Sequence, residues 1–319
     1  LKREKMDIIH HICPVFINKV TFNPLALLGV TRRYPFVIGP VGREFNVADT
    51  RRSLLSWSNE ASLIRKLDAT LHYTEATVLA RTGLSDKTLE SCDALIAPTA
   101  ESRNFWARLL DPKKIRMIPL GVDDRLFIPK NRDGRGRAIR LLAVGALTRR
   151  KGVDYLIKAF KRVADEDERV SLTISGEGPE KKNLLRLVED LRISDRVTFR
   201  GLLRSRSRLV ERYQSCDIFC HPALLETYGM VVLEAMACGK PVVVTKGCGV
   251  AEFVRHGEDG LLVPPGDVDA LADAIIRLVG DEDLRKEMGG RVRRSVERDL
   301  SWRAVADKYY QVYSELANA

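Results

Sequence analysis

Cysteine is scarce and unpatterned. Six residues, Cys13, Cys92, Cys216, Cys220, Cys238 and Cys248, are spread over 319 positions, and no two form a CxxC pair. That excludes a disulfide scaffold and fits a reducing, cytoplasmic setting. Cys216 and Cys220 flank the strand-like DIFC, where buried small side chains are expected ahead of metal ligands. Long apolar runs are missing too: PLALLGV and MVVLEAMACG are short and interrupted, well below the roughly 18 to 20 residues of a membrane span. The opening LKREKMDIIHHICPVF is basic, but its apolar run is brief and broken by histidines and Pro14, so it does not read as a signal peptide. Low-complexity segments and tandem repeats of fixed period are absent. Aromatic residues make up 7% and nowhere interleave with cations in a base-stacking pattern, so nucleic-acid binding is not expected.

What is present describes an ordinary globular chain, 45% hydrophobic and 30% charged. At 35.9 kDa it exceeds what one hydrophobic core usually organises, so about two domains are expected. The net charge of +10 is unevenly placed: residues 1–140 hold 24 Lys and Arg against 15 Asp and Glu, residues 141–319 hold 29 against 28. A basic first part suits anionic lipid headgroups, a phosphorylated substrate or nucleic acid, and charge alone does not choose among them. Solvated surface and a basic connector account for part of the excess.

The connector is KNRDGRGRAIR (130–140), polar and glycine-bearing with no hydrophobic period. After it, strands and helices alternate. The strands are 139–145, 169–176, 196–201, 217–222, 241–246 and 260–266; the helices are 152–164, 178–192, 207–216, 229–239, 267–281 and 301–319. Strands apolar on both faces and separated by helices predict a parallel, doubly wound sheet. The first part repeats the theme less regularly, with strands at 6–12, 35–42, 94–99 and 115–123 and helices at 53–81 and 100–110. Its opening units are expected to be missing, since the chain starts at Leu1 rather than a methionine. The expected division is therefore 1–129, a linker at 130–140, a second α/β domain over 141–300, and a closing helix at 301–319 packing back toward the first domain.

Ligands of doubly wound sheets bind outside the carboxyl ends of the strands. Three loops there carry suggestive residues. VGALTRRKG (144–152) has Gly145 at the turn, then Arg149, Arg150 and Lys151. SGEGP (175–179) allows close backbone approach at Gly176 and Gly178. ETYGMVVLE (226–234) enters a helix at Gly229, leaving first-turn amides open to an anion. A glycine turn or an Arg-Arg-Lys run is alone usually structural; their coincidence on successive strand ends points to a phosphate site. Glu226 and Glu234 would flank that helix mouth, though a carboxylate ~10 Å from a phosphate charge costs roughly 1.7 kcal/mol at an effective dielectric of about 20. Such carboxylates are expected only where they accept hydrogen bonds from hydroxyls, which sugars supply. For either glutamate alone, a helix cap or a solvated side chain is an equal alternative.

With these residues assembled, the chain resembles the retaining, GT-B-fold glycosyltransferases called family 4, or glycosyl transferases group 1. VGALTRRKGVDYLIKAF, SGEGP, VTFRG, HPALLETYGMVVLEAMACGKPVVVTKGCGVAEFV and DGLLVPPGD carry the resemblance, which is strongest over 141–266. The resemblance implies an α/β fold of two facing Rossmann-like domains, the N-terminal one incomplete. It implies transfer of a hexosyl-type group from a UDP or GDP sugar to an acceptor hydroxyl, without metal or resident cofactor. By the same resemblance, Glu226 would contact the donor sugar and Glu234 the ribose. Amides at Gly229, Met230 and Val231 would face sugar and diphosphate, Lys151 and Arg150 would neutralise the phosphates, and the stretch through Gly201 and Leu202 would border the base.

Two departures stand out. The family usually has an arginine after the glycine of VG, where this chain has Ala146, so Arg149 or Arg150 would substitute. IGPVGRE (38–44) replaces the common THG and is similar to a subgroup serving surface-polysaccharide assembly. Acceptor-side candidates are thus His10, His11, Gly42 and Glu44, with a glycan or lipid-linked acceptor and peripheral contact with an anionic inner membrane face. An epimerase or phosphorylase on the same fold, or a basic nucleic-acid-binding protein, is the alternative.

Overall fold

Ten short strands carry the apolar runs of the described residues, and every strand pair is parallel. The computed structural model describes residues 8–11, 35–40, 89–130, 138–203 and 205–318. These belong to two units, Leu1–Leu120 with Val305–Ala319, and Gly121–Ala304. The helix expected at 53–81, and with it Gly42 and Glu44, lies outside the described residues.

In the first unit β1 (Ile9–His11), β2 (Phe36–Ile38), β3 (Ala94–Ala97) and β4 (Ile115–Met117) lie in sequence order. Side chains alternate across a strand. Phe36, Ile38, Leu95 and Ala97 therefore share one face with Trp106 of α1 (Ala100–Trp106), while Val37, Ala94 and Ile96 share the other with Val305 and Val312 of the C-terminal helix, Trp302–Ala317. Thr99 starts α1 by accepting the Ser102 amide at 3.1 Å. IRMIPLGVD, expected as one strand, pairs with β3 only as far as Met117, and Pro119 two residues on has no amide to donate.

The second unit is the expected doubly wound sheet. In chain order it runs β5 (Ile139–Val144), α2 (Val153–Glu166), β6 (Val170–Ser175), α3 (Lys181–Asp190), β7 (Val197–Arg200), α4 (Arg206–Ser215), β8 (Ile218–His221), α5 (Met230–Ala237), β9 (Val242–Thr245), β10 (Leu261–Val263), α6 (Val268–Gly280) and α7 (Glu282–Ser295). The strand order is β7-β6-β5-β8-β9-β10. The winding reverses between β5 and β8, the topological switch point of a Rossmann sheet. Val153, Leu156, Ile157, Phe160 and Val163, the periodic face of α2, are all buried in the core beneath β5 and β6.

Helix α7 is absent from the sequence reading. Its Gly289-Gly290 pair breaks the helical signal, since glycine disfavours helix interiors by about 1 kcal/mol. The fold needs the gap: a Cβ on Gly289 would meet the Gly239 carbonyl at 2.4 Å. Arg293 of α7 then donates to the carbonyls of Ala237 (2.7 Å), Phe127 (2.8 Å) and Asp124 (3.0 Å), capping the C-terminal end of α5 with a cation.

Candidate functional site

β5 and β8 are neighbours, so the loops leaving their carboxyl ends face each other. After β5 the chain turns at Gly145, makes a single 3-10 turn over Arg149–Lys151, and enters α2 through Gly152. After β8 it passes Pro222 and Leu224 to Glu226 and enters α5 at Gly229. The Leu224 amide donates to the Arg150 carbonyl at 2.9 Å, tying the two loops together. Glu226 is held on its other side by backbone bonds with Gly247 and Gly249, each 3.0 Å. A small cleft between these loops is lined by Gly145, Ala146, Lys151, His221 and Pro222.

The structure brings Lys151 and Glu226 together, 75 residues apart in sequence: the Lys151 ammonium donates to Glu226 Oε2, with the side chains only 15% and 12% exposed. Burial is the largest single influence on Glu226 and works to raise its pKa. His221 and the Lys151 charge together outweigh it, holding the carboxyl at about 2. His221, the last residue of β8, is 3% exposed, and its Nε2 lies 3.6 Å from Glu226 Oε2 with no hydrogen-bond partner.

Gly229 sits at φ +98°, and a Cβ there would come 2.5 Å from Cys248 Sγ. Glycine is therefore required both by conformation and by space. No side chain caps α5, and the amides of Gly229, Met230 and Val231 have no acceptor among the described residues. These groups leave an uncapped helix N-terminus beside Glu226, a kind of place where anions dock in other proteins.

Glu234, on the second turn of α5, accepts from Tyr213 Oη at 2.7 Å. Burial pushes its carboxyl up, with Tyr213 and the Arg206 charge opposing. Both Tyr213 and His221 escaped the sequence reading. Tyr213 lies on the apolar face of α4 between Phe127 and Phe219 and looks from sequence like simple core. The signal available for His221 was a histidine ending an otherwise apolar strand.

The remaining expected donor-side residues lie on the same and neighbouring loops at the carboxyl ends of the strands. Arg149 is exposed and pairs with Glu180 at 3.4 Å, and Arg150 is also exposed. The glycines of SGEGP approach backbone of the neighbouring loop: a Cβ on Gly176 would lie 1.8 Å from the Gly145 carbonyl oxygen, and one on Gly178 2.4 Å from that of Leu147. Gly201 and Leu202 follow β7 in the open, with Leu202 69% exposed.

In the first unit, His10 has both ring nitrogens occupied, Nε2 by the Gly39 carbonyl at 2.9 Å and Nδ1 by Tyr313 Oη at 2.6 Å. It has no free nitrogen for acceptor chemistry and packs as a latch on the C-terminal helix. His11 is a β1 residue in register with Ile38.

Cys216 and Cys220 are fully buried, and burial pushes Cys216 up to about 12 and Cys220 higher still. No group of three or more metal-ligating side chains occurs among the described residues. Asp-X-Asp triplets do occur, at 165–167, 267–269 and 281–283. Five of their aspartates make local structural contacts: Asp267 caps α6, Asp281 caps α7, Asp165 pairs with Lys161, Asp167 with Arg169 and Asp269 with Arg162. Among the described residues no helix is long and apolar enough to cross a membrane.

Residues 125–295 match the family model for glycosyl transferases group 1. The N-acetyl-alpha-D-glucosaminyl L-malate synthase of Bacillus anthracis is 30% identical over 267 residues, covering 79% of this chain and 68% of that protein. The D-inositol 3-phosphate glycosyltransferase of Corynebacterium jeikeium is 36% identical over 222 residues, 64% of this chain. The chain spans only about half of that relative, 52% of its length. Among solved structures, sucrose-phosphate synthase from Thermosynechococcus elongatus is similar over 97% of this chain and 73% of its own, with a TM-score of 0.68 and 25% identity. The α/β fold with parallel sheets is thus of the GT-B class. With a switch-point cleft carrying a buried Lys-Glu pair and an open helix mouth, and with more than half its length inside the family model, the chain belongs to the glycosyl transferases group 1 family.

Proposed function

We propose that the chain transfers a hexosyl group from a nucleoside diphosphate sugar to an acceptor hydroxyl with retention of configuration, in glycan, surface-polysaccharide or glycolipid assembly. One observation carries the reading. The uncapped amides of Gly229, Met230 and Val231 open beside the Lys151–Glu226 pair at the sheet's switch point. A diphosphate suits the amides and Lys151, because charge grows on the leaving diphosphate and preorganised donors aimed there lower the barrier most. Glu226 suits sugar hydroxyls, and Glu234 suits the ribose.

Family-4 membership, retention, independence of metal and the lack of a resident cofactor are part of this proposal and rest on the motif resemblance. The acceptor side includes the strongly basic residues 1–140, read as facing a lipid-linked acceptor at an anionic membrane.

Thermal unfolding with UDP, GDP and ADP sugars in parallel tests the donor site. A ligand at 100 times its Kd adds about 2.7 kcal/mol, so the matching base raises Tm by several degrees. Failure of every nucleotide to shift the transition overturns the reading.

A further inference from the structure

Lys151 cannot serve Glu226 and a diphosphate equally. Its ammonium donates to Glu226 Oε2. Drawing it toward a phosphate strips a carboxylate that is only 12% exposed of its cation, and an unpaired buried charge is strongly unfavourable. Another basic side chain stands ready. His221 Nε2 is 3.6 Å from the same oxygen, buried, and without a hydrogen-bond partner. A buried unpartnered ring nitrogen is itself costly and marks a group awaiting a partner. The Glu226 backbone is fixed through Gly247 and Gly249, so a side-chain rotation is enough to bring the carboxylate to charge-assisted hydrogen-bond distance, about 2.8 Å.

We propose that His221 is a positioning residue that takes over Glu226 when a sugar nucleotide claims Lys151, binding a proton from solvent as Nε2–H closes onto Oε2. The inference rests on the donor-site reading given under Proposed function. The charged groups facing the ring are Lys151 and Glu226. The nearby thiols Cys220, on the same strand, and Cys248, behind Glu226, are kept protonated by burial. Burial first, and the Lys151 charge with it, hold the imidazole below its ordinary value against the pull of Glu226. When the Lys151 charge is spent on a diphosphate, one of the effects opposing protonation is removed.

Calorimetric titration of the whole chain with UDP-glucose, UDP-N-acetylglucosamine and GDP-mannose, in two buffers of different ionisation enthalpy at pH 7, reads the proton directly. Both phosphates of these donors are diesters that do not titrate near neutrality, so any proton exchanged belongs to the protein. The expected result is uptake of roughly 0.3 to 1 proton per donor bound, and affinity that falls as pH rises from about 6 to 8. His221→Gln keeps a donor near the Nε2 position but cannot become a cation. It should bind with a flat pH profile and no uptake, whereas His221→Leu should lose roughly tenfold or more in affinity. Donor binding without buffer dependence in the unmodified protein overturns the inference and leaves the site reading standing; uptake that persists in His221→Gln does the same. Binding of no sugar nucleotide overturns both. If His221→Gln does not fold, the wild-type histidine resonances decide, since a His221 ring that stays neutral at pH 6.5 with donor bound overturns the proposal.

Discussion

Tyr213 Oη donates to Glu234 Oε2 at 2.7 Å, joining α4 to the second turn of α5. The hydroxyl fixes which way a largely buried carboxylate points, so its removal leaves Glu234 present but misaimed. Tyr213→Phe should raise the donor KM about 3- to 30-fold while kcat changes by less than about twofold, because an interaction common to ground and transition states is lost. Steady-state kinetics check this; an equal loss in kcat would mean that the bond matters to the chemical step instead.

Glu226 makes the site acid-sensitive. Its carboxyl is held at about 2 against an ordinary 4.5, so the folded state binds its proton later than the unfolded state. The stabilisation this confers is complete above pH 4.5 and is lost as pH falls through about 2. Glu226→Gln should therefore lower Tm relative to wild type at pH 7 and converge on it toward pH 2. Parallel melting curves across that range test the sign. On the proposed donor-site role of Glu226, the same substitution should reduce transfer by 100-fold or more, roughly the loss expected when a preorganised polar contact is removed.

Gly229→Ala meets two obstacles, a φ of +98° and a Cβ 2.5 Å from Cys248 Sγ. We expect a loss of about 2 to 4 kcal/mol and of the nucleotide-induced thermal shift. Adding Cys248→Ala relieves the crowding but not the backbone conformation, so the double variant should recover only part of the stability. Full recovery would show that space alone demands glycine.

The latch on His10 predicts a second pH effect, in the first unit. Burial holds this imidazole below its ordinary 6.5, so the unfolded chain takes up the proton first. Stability is complete above pH 6.5 and declines as pH falls below it. Tyr313→Phe leaves that burial in place, so the decline should persist while the C-terminal helix, short of one hydrogen bond, opens more readily across the whole range. Hydrogen exchange of the C-terminal helix amides between about pH 5 and 7.5 resolves the difference.

Much of the fold was legible because each strand and helix buries its own apolar period. VSLTISG and PVVVTK can be little but two-faced strands, and GVDYLIKAFKRVA little but an amphipathic helix. The exceptions have local causes: α7 hides behind a glycine pair that serves close packing on Gly239, and the fourth strand stops short of Pro119.

The site divides differently. Sequence by itself determined that cations follow β5, that two glutamates stand on either side of Gly229, and that a helix opens there, since these depend on residue type and short spacing. Only the tertiary structure decided that Lys151 meets Glu226, that His221 waits beside them, that Tyr213 holds Glu234, and that His10 is already engaged by Tyr313, 303 residues away. The physical reason is strand order. Periodicity records which face of an element is buried, whereas the neighbour it is buried against depends on placing β8 beside β5, and no local pattern encodes that placement.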